Sequence, residues 1–194
     1  MAYLLKEMED YADEFNIPIM EKEGINYLKK IIKKNKIETI LEIGTAIGYS
    51  AISMALINEK IKVTTIERDE KRYKEAIKNI TKFNLENQIN VIYADALTKE
   101  IKGTYDLIFI DAAKSQYIKF FKKFEKNLKP NGIIISDNMN FHGLVYSDKS
   151  KMSKNLRGLI TKLEKYILFL KENDKFKTKF INIGDGIAIS RKDE

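Results

Sequence analysis

The chain has 194 residues, with 35 Lys plus Arg against 28 Asp plus Glu, a formal net charge of +7 and 44% hydrophobic residues. This length favours one domain around one core, and two prolines and nine glycines are too few breakers for a disordered chain. The absence of cysteine excludes disulfides, thiol nucleophiles and Cys-ligated metals, and the single histidine, His142, excludes a His-cluster metal site.

Residues 1–15 and 21–35 read as two helices joined by Asn16-Ile17-Pro18. Short β-branched runs then alternate with amphipathic stretches. Strands are predicted at Ile37–Ile43, Ile61–Glu67, Ile89–Tyr93, Tyr105–Ile110 and Gly132–Ser136, and helices at Tyr49–Ile57, Asp69–Phe83 and Ser115–Leu128. Near-continuous apolar strands of this kind are buried on both faces, as in a parallel α/β sheet. Leu156, Leu159, Ile160, Leu163, Ile167 and Leu170 make a further helix stripe. Phe176–Asn182, the turn Gly184-Asp185-Gly186 and Ile187–Ser190 then read as a closing β-hairpin. The expected architecture is an open, doubly wound sheet of five parallel strands with an antiparallel hairpin at one edge, seven strands in one domain spanning 1–194. No apolar run is long enough for a membrane span, and the acidic N-terminus lacks a signal-peptide pattern. A cytoplasmic protein that avoids membranes is expected.

Ligands of such sheets sit beyond the carboxyl ends of the strands. The first strand ends in Glu42-Ile43-Gly44 and passes through Gly48 to Tyr49-Ser50 at a helix start, where free backbone N–H groups face a ligand. The Gly-x-x-x-Gly spacing matches neither a dinucleotide fingerprint nor a phosphate loop. The second strand ends in Glu67, an acid placed to accept hydrogen bonds from two ribose hydroxyls. A nucleoside cofactor is indicated, although either acid also reads as an ordinary surface or helix-start residue. Asp111 closes the fourth strand and Asp137-Asn138 the fifth, an oxygen set suited to Mg²⁺. The same three residues also read as caps of the following segments. Lys114 then reads as a base, a phosphate contact or a solvated lysine.

The ordered set Ile17-Pro18-Ile19, LEIGTAIGYSAI, TTIERD, YADA, DLIFIDAAKSQY, ISDN and GDGIAIS resembles the cation-dependent class I O-methyltransferases, which use S-adenosylmethionine and include the catechol and caffeoyl-coenzyme A enzymes. The resemblance covers nearly the whole chain. Through DAAKSQY and DNMNFHGLV it is most similar to the bacterial tRNA 5-hydroxyuridine methyltransferases. It implies a Rossmann-like fold in which the N-terminal helices, residues 1–35, cover the site. Glu42 and Gly44 would lie under the methionine part of the cofactor, Ser50 at its carboxylate, Glu67 at the ribose, Asp95 and Ala96 at the adenine, and Ile19 in the covering segment. Asp111, Asp137 and Asn138 match the metal ligands, with Asp111 also beside the cofactor, and Lys114 matches the general base. A homodimer is implied as well.

Ala112-Ala113 stand where catechol enzymes carry aromatic or imidazole side chains, and the chain has no Trp, so the walls that grip a small catechol are missing. This opening suits an extruded tRNA base. His142 is a candidate base contact, and Lys149, Lys151, Lys154 and Arg157 are candidate phosphate contacts. All five also read as solvated surface, as do Lys29, Lys30, Lys33 and Lys34. The excess of Lys over Arg also fits an A/T-rich coding bias. The alternative substrate class is a small catechol or phenol.

Overall fold

The computed structural model describes residues 1–140, 143, 148, 150 and 152–193. Its elements are α1 (Ala2–Glu14), α2 (Lys22–Lys34), β1 (Thr39–Ile43), α3 (Tyr49–Ala55), β2 (Lys62–Glu67), α4 (Glu70–Lys82), β3 (Ile89–Tyr93), β4 (Tyr105–Ile110), α5 (Tyr117–Phe124), β5 (Leu128–Ser136), α6 (Lys154–Lys171), β6 (Phe176–Ile181) and β7 (Ile187–Lys192). The strands form a seven-stranded sheet in the order β3-β2-β1-β4-β5-β7-β6. β1 to β5 run parallel, and β7 is antiparallel to both β5 and β6. The doubly wound sheet with its edge hairpin is therefore present as expected.

Alternation along each strand divides the core into two layers. Ile40, Leu107, Phe109, Ile133 and Ile135 pack with α1, α2 and α3. Leu41, Ile43, Ile108, Ile110 and Ile134 pack with α5 and α6. Among the described residues no helix is long and apolar enough to cross a membrane.

Several element boundaries, and one helix face, differ from expectation. Ile37 and Glu38 are outside β1, because Lys36 takes a left-handed conformation at φ 52° and the Ile37 N–H is used on Ile32 O of the preceding helix. The helix expected over Ser115–Leu128 shrinks to α5, flanked by 3-10 turns at Lys114–Gln116 and Glu125–Asn127. Pro130 disfavours helical geometry at Lys129, and the Asn127 amide donates to Ile101 O and Gly103 O at 3.0 and 2.9 Å. Leu128 is consequently the first residue of β5 and not part of a helix face. In α6 the buried set includes Tyr166, absent from the expected stripe, while Ile167 is only half-buried. The Tyr166 hydroxyl lies 2.6 Å from Ser136 Oγ at the end of β5, so a polar tip meets a polar partner inside the core.

Candidate active site

The sheet ladder continues one residue past the strand ends. Gly44 N–H donates to Ile66 O, Asp111 N–H to Ile43 O and Asp137 N–H to Ile110 O, at 3.0 to 3.1 Å. This continuation lines up Gly44, Glu67, Asp111 and Asp137 along one edge, where a cavity of about 280 Å³ opens. Gly44, with φ 100°, is required there: a Cβ would stand 2.0 Å from Asp111 O. The β1–α3 loop thus lies directly on the end of β4.

Glu67 is buried at the cavity wall. Its carboxylate accepts the Ala46 N–H at 2.8 Å, the Arg68 N–H at 2.9 Å and the Asp69 N–H at 2.8 Å, which fixes its orientation. Glu42 lies behind that wall, fully buried, and takes hydroxyl hydrogen bonds from Ser50 and Thr65, each at 2.5 Å. Thr45 joins Thr65 at 2.6 Å. Burial raises the Glu42 carboxyl to about 8, against the two hydroxyl bonds, with the charges of Asp111 and Glu67 adding to the rise. At neutral pH Glu42 mostly holds its proton. Ser50 reaches the cavity while holding Glu42. Of the expected cofactor set, Ile19, Gly44, Ser50, Glu67, Asp95, Ala96 and Asp111 line the cavity, whereas Glu42 supports it from beneath.

At the other end Asp111, Lys114, Asp137 and Asn138 share the wall. Burial raises both aspartates above the ordinary carboxylate range, and at Asp137 the Asp111 charge adds to the rise. Lys114 is lowered by burial, and Asp111, Asp137 and Asp185 act against that shift. None of Asp111, Asp137 and Asn138 caps a described helix. The 3-10 turn begins after Ala113 without a side-chain cap, and the cap of α6 is Ser153.

Asn138 adopts φ 63°, and its buried Oδ1 has no hydrogen-bond partner. Two carboxylates that repel each other, with an orphaned amide oxygen in the same wall, are donors of the kind that could hold a hard cation. Among the described residues no cluster of three His, Asp or Glu exists, so the set is two carboxylates and one amide. The backbone around it is held twice. Tyr117 Oη donates to Asp137 O at 3.2 Å, and the hairpin turn accepts Met139 N–H at Gly186 O and Asn140 N–H at Asp185 O.

Pro18, Ile19 and Met20 close one side of the cavity. Tyr49, also in the wall, donates to Glu9 of α1 at 2.8 Å, and Glu9 pairs with Lys22 of α2 at 2.8 Å. Sequence reasoning missed this tie, because Glu9 looks like any acid of an amphipathic helix. It also missed Thr65, Tyr117 and Gln116, although the last two lie within the quoted DAAKSQY. Lys154 is an exposed residue at the head of α6 and, like Arg157, is not in the cavity wall. His142, Lys149 and Lys151 lie outside the described residues.

Residues 2–193 match the family model described as O-methyltransferase. The tapetum-specific methyltransferase 1 of Arabidopsis thaliana is 30% identical, over 97% of this chain and 86% of its own length. The flavonoid 3',5'-methyltransferase of Vitis vinifera is 29% identical, over 96% and 82%. The crystal structure of a Staphylococcus aureus protein, provisionally named a caffeoyl-CoA O-methyltransferase, superposes with a TM-score of 0.93 at 38% identity, covering 97% of this chain and 92% of that one. The chain belongs to the O-methyltransferase family, and its activity is methyl transfer from S-adenosylmethionine to oxygen.

Proposed function

For this O-methyltransferase we propose a reaction that depends on a divalent cation, with 5-hydroxyuridine of the tRNA wobble position as acceptor and 5-methoxyuridine as product. The observation that carries the cation is the orphaned Asn138 Oδ1, which shares the cavity wall with half-buried Asp111 and buried Asp137. Bound there, a cation such as Mg²⁺ supplies Lewis acidity that eases ionisation of a neighbouring hydroxyl.

The chain's own residues do the positioning. Glu67, held by three backbone N–H groups, presents its remaining lone pairs to a ribose diol. Pro18, Ile19 and Met20 close one side of the cavity and shield a cofactor held there from water. Lys114, with a lowered pKa, takes up the acceptor's proton or steadies the oxyanion that forms. The open wall at Ala112-Ala113 supports a bulky base as acceptor, and the net charge of +7 supports a polyanionic partner, with Lys154 and Arg157 as phosphate contacts.

A second reading, a small catechol or phenol as acceptor, is favoured by the names of the plant relatives, flavonoid 3',5'-methyltransferase among them. Labelled S-adenosylmethionine supplied with 5-hydroxyuridine-containing tRNA or with a catechol, each with Mg²⁺ and with EDTA, separates the two. Metal-dependent 5-methoxyuridine supports the proposal, and transfer to the catechol alone overturns its acceptor. Transfer that persists in EDTA overturns the cation.

A further inference from the structure

Gln116 ends the 3-10 turn that joins β4 to α5, and it lines the cavity. Its Oε1 is buried without a hydrogen-bond partner. Such an acceptor is disfavoured unless something with a donor comes to meet it.

The packing of α5 shows which end of the cavity this is. Lys123 Nζ donates to Leu97 O at 2.7 Å, and Phe120 packs in the cluster that holds Ile66 and Ala96. Gln116 immediately precedes α5, and together with Phe120 it lines the cavity wall to which Ala94, Asp95, Ala96 and Leu97 also contribute. Glu67, the ribose acid, ends the strand beside β3, and the Ala94 N–H donates to Glu67 O at 2.9 Å. With its ribose at Glu67 and its base at Asp95 and Ala96, as the family resemblance implies, a nucleoside occupies the cavity that Gln116 also lines. The Asp95 carboxylate is partly engaged, since its Oδ1 accepts the Leu97 N–H at 2.7 Å.

We propose that Gln116 Oε1 accepts a hydrogen bond from the 6-amino group of the cofactor's adenine, which makes Gln116 a specificity-determining residue for a 6-aminopurine. This assignment rests on the cofactor being S-adenosylmethionine and is independent of the methyl acceptor and of any cation. Sites built to hydrogen-bond a ligand group discriminate against analogues that lack it. An amide can also turn and offer its NH₂ to a 6-oxo group, whereas an ionised carboxylate accepts only.

Calorimetric titration of S-adenosylhomocysteine and S-inosylhomocysteine into the full-length protein in EDTA tests the proposal, with wild type, Gln116→Leu and Gln116→Glu compared. The preference for the adenosyl ligand is expected to be greatest for the glutamate variant, intermediate for wild type and least for leucine. Leucine is expected to weaken S-adenosylhomocysteine about ten-fold, and glutamate to keep it within about three-fold. A leucine variant that keeps both the affinity and the preference, with an unchanged melting curve, overturns the proposal. Failure of wild type to bind S-adenosylhomocysteine overturns the cofactor assignment instead.

Discussion

Replacing Glu42 by Gln isolates the energetics beneath the cofactor loop. The carboxyl is raised from 4.5 to about 8, chiefly by burial. Between those values the folded chain binds a proton that the unfolded chain has released, so folding stability falls as pH rises through the window. At about 1.36 kcal/mol per unit, the ceiling of that loss is about 5 kcal/mol, fully expressed only above pH 8. The amide has nearly the same shape and keeps an acceptor and a donor for Ser50 and Thr65, but it carries no charge at any of these pH values. Wild type and Glu42→Gln should therefore have similar unfolding free energies at pH 5, and the variant should be more stable by a few kcal/mol at pH 9. Urea unfolding followed by far-ultraviolet circular dichroism, in EDTA and without cofactor, measures the difference. Asp111 and Asp137 titrate in both proteins and cancel to first order. A difference that stays constant from pH 5 to 9 would refute the reasoning.

Asp106 should behave with the opposite sign. Its carboxyl is partly buried, which opposes ionisation, but Lys129 and the N–H groups of Thr39 and Glu38 pull it down to about 2. Stability contributed above the ordinary value of 3.8 is lost as pH falls through 2, so Asp106→Asn should cost about 2 kcal/mol at pH 7 in urea unfolding and progressively less toward pH 2. Gly44→Ala forces a Cβ to within 2.0 Å of a carbonyl oxygen at φ 100°, and a loss of at least about 3 kcal/mol is expected. An unchanged unfolding midpoint would show that the loop can lift from β4. Asn138→Ala should weaken Mn²⁺ binding, read directly by electron paramagnetic resonance, by about ten-fold or more while S-adenosylhomocysteine affinity is kept. Equal Mn²⁺ affinity in variant and wild type would remove Asn138 from the donor set.

Much of the site was legible because its residues sit at the ends of strongly apolar strands. TILEI, YDLIFI and GIIIS announce themselves by composition, and Gly44 follows the first directly, Asp111 the second and Asp137-Asn138 the third. What sequence did not yield depends on contacts between distant segments. Glu42 and Ser50 both fall in the first loop motif, but their shared network needs Thr65 from the neighbouring strand. Nothing in the local pattern links Glu9 to Tyr49, 40 positions on. The helix drawn through Leu128 failed because Tyr117, Phe120, Phe121, Phe124 and Leu128 keep helical spacing, while Pro130 and the Asn127 amide decide where the chain turns.

The ladder bonds that run one residue past the strand ends make the spacing of the site a property of the sheet. Asp111 and Asp137 follow adjacent parallel strands, and their backbones are set apart by the inter-strand repeat of about 4.8 Å. Lengthening or shortening α4 or α5 leaves that separation unchanged, so the crossovers on either face are free to diverge in length and surface chemistry. A single-residue slip within β4 or β5 would turn a carboxylate into a helix layer and bring Ile110 or Ala112, or in β5 Ser136 or Asn138, to the edge in its place. Tolerance to insertion should therefore be generous in the helices and nearly absent in the five residues before each aspartate.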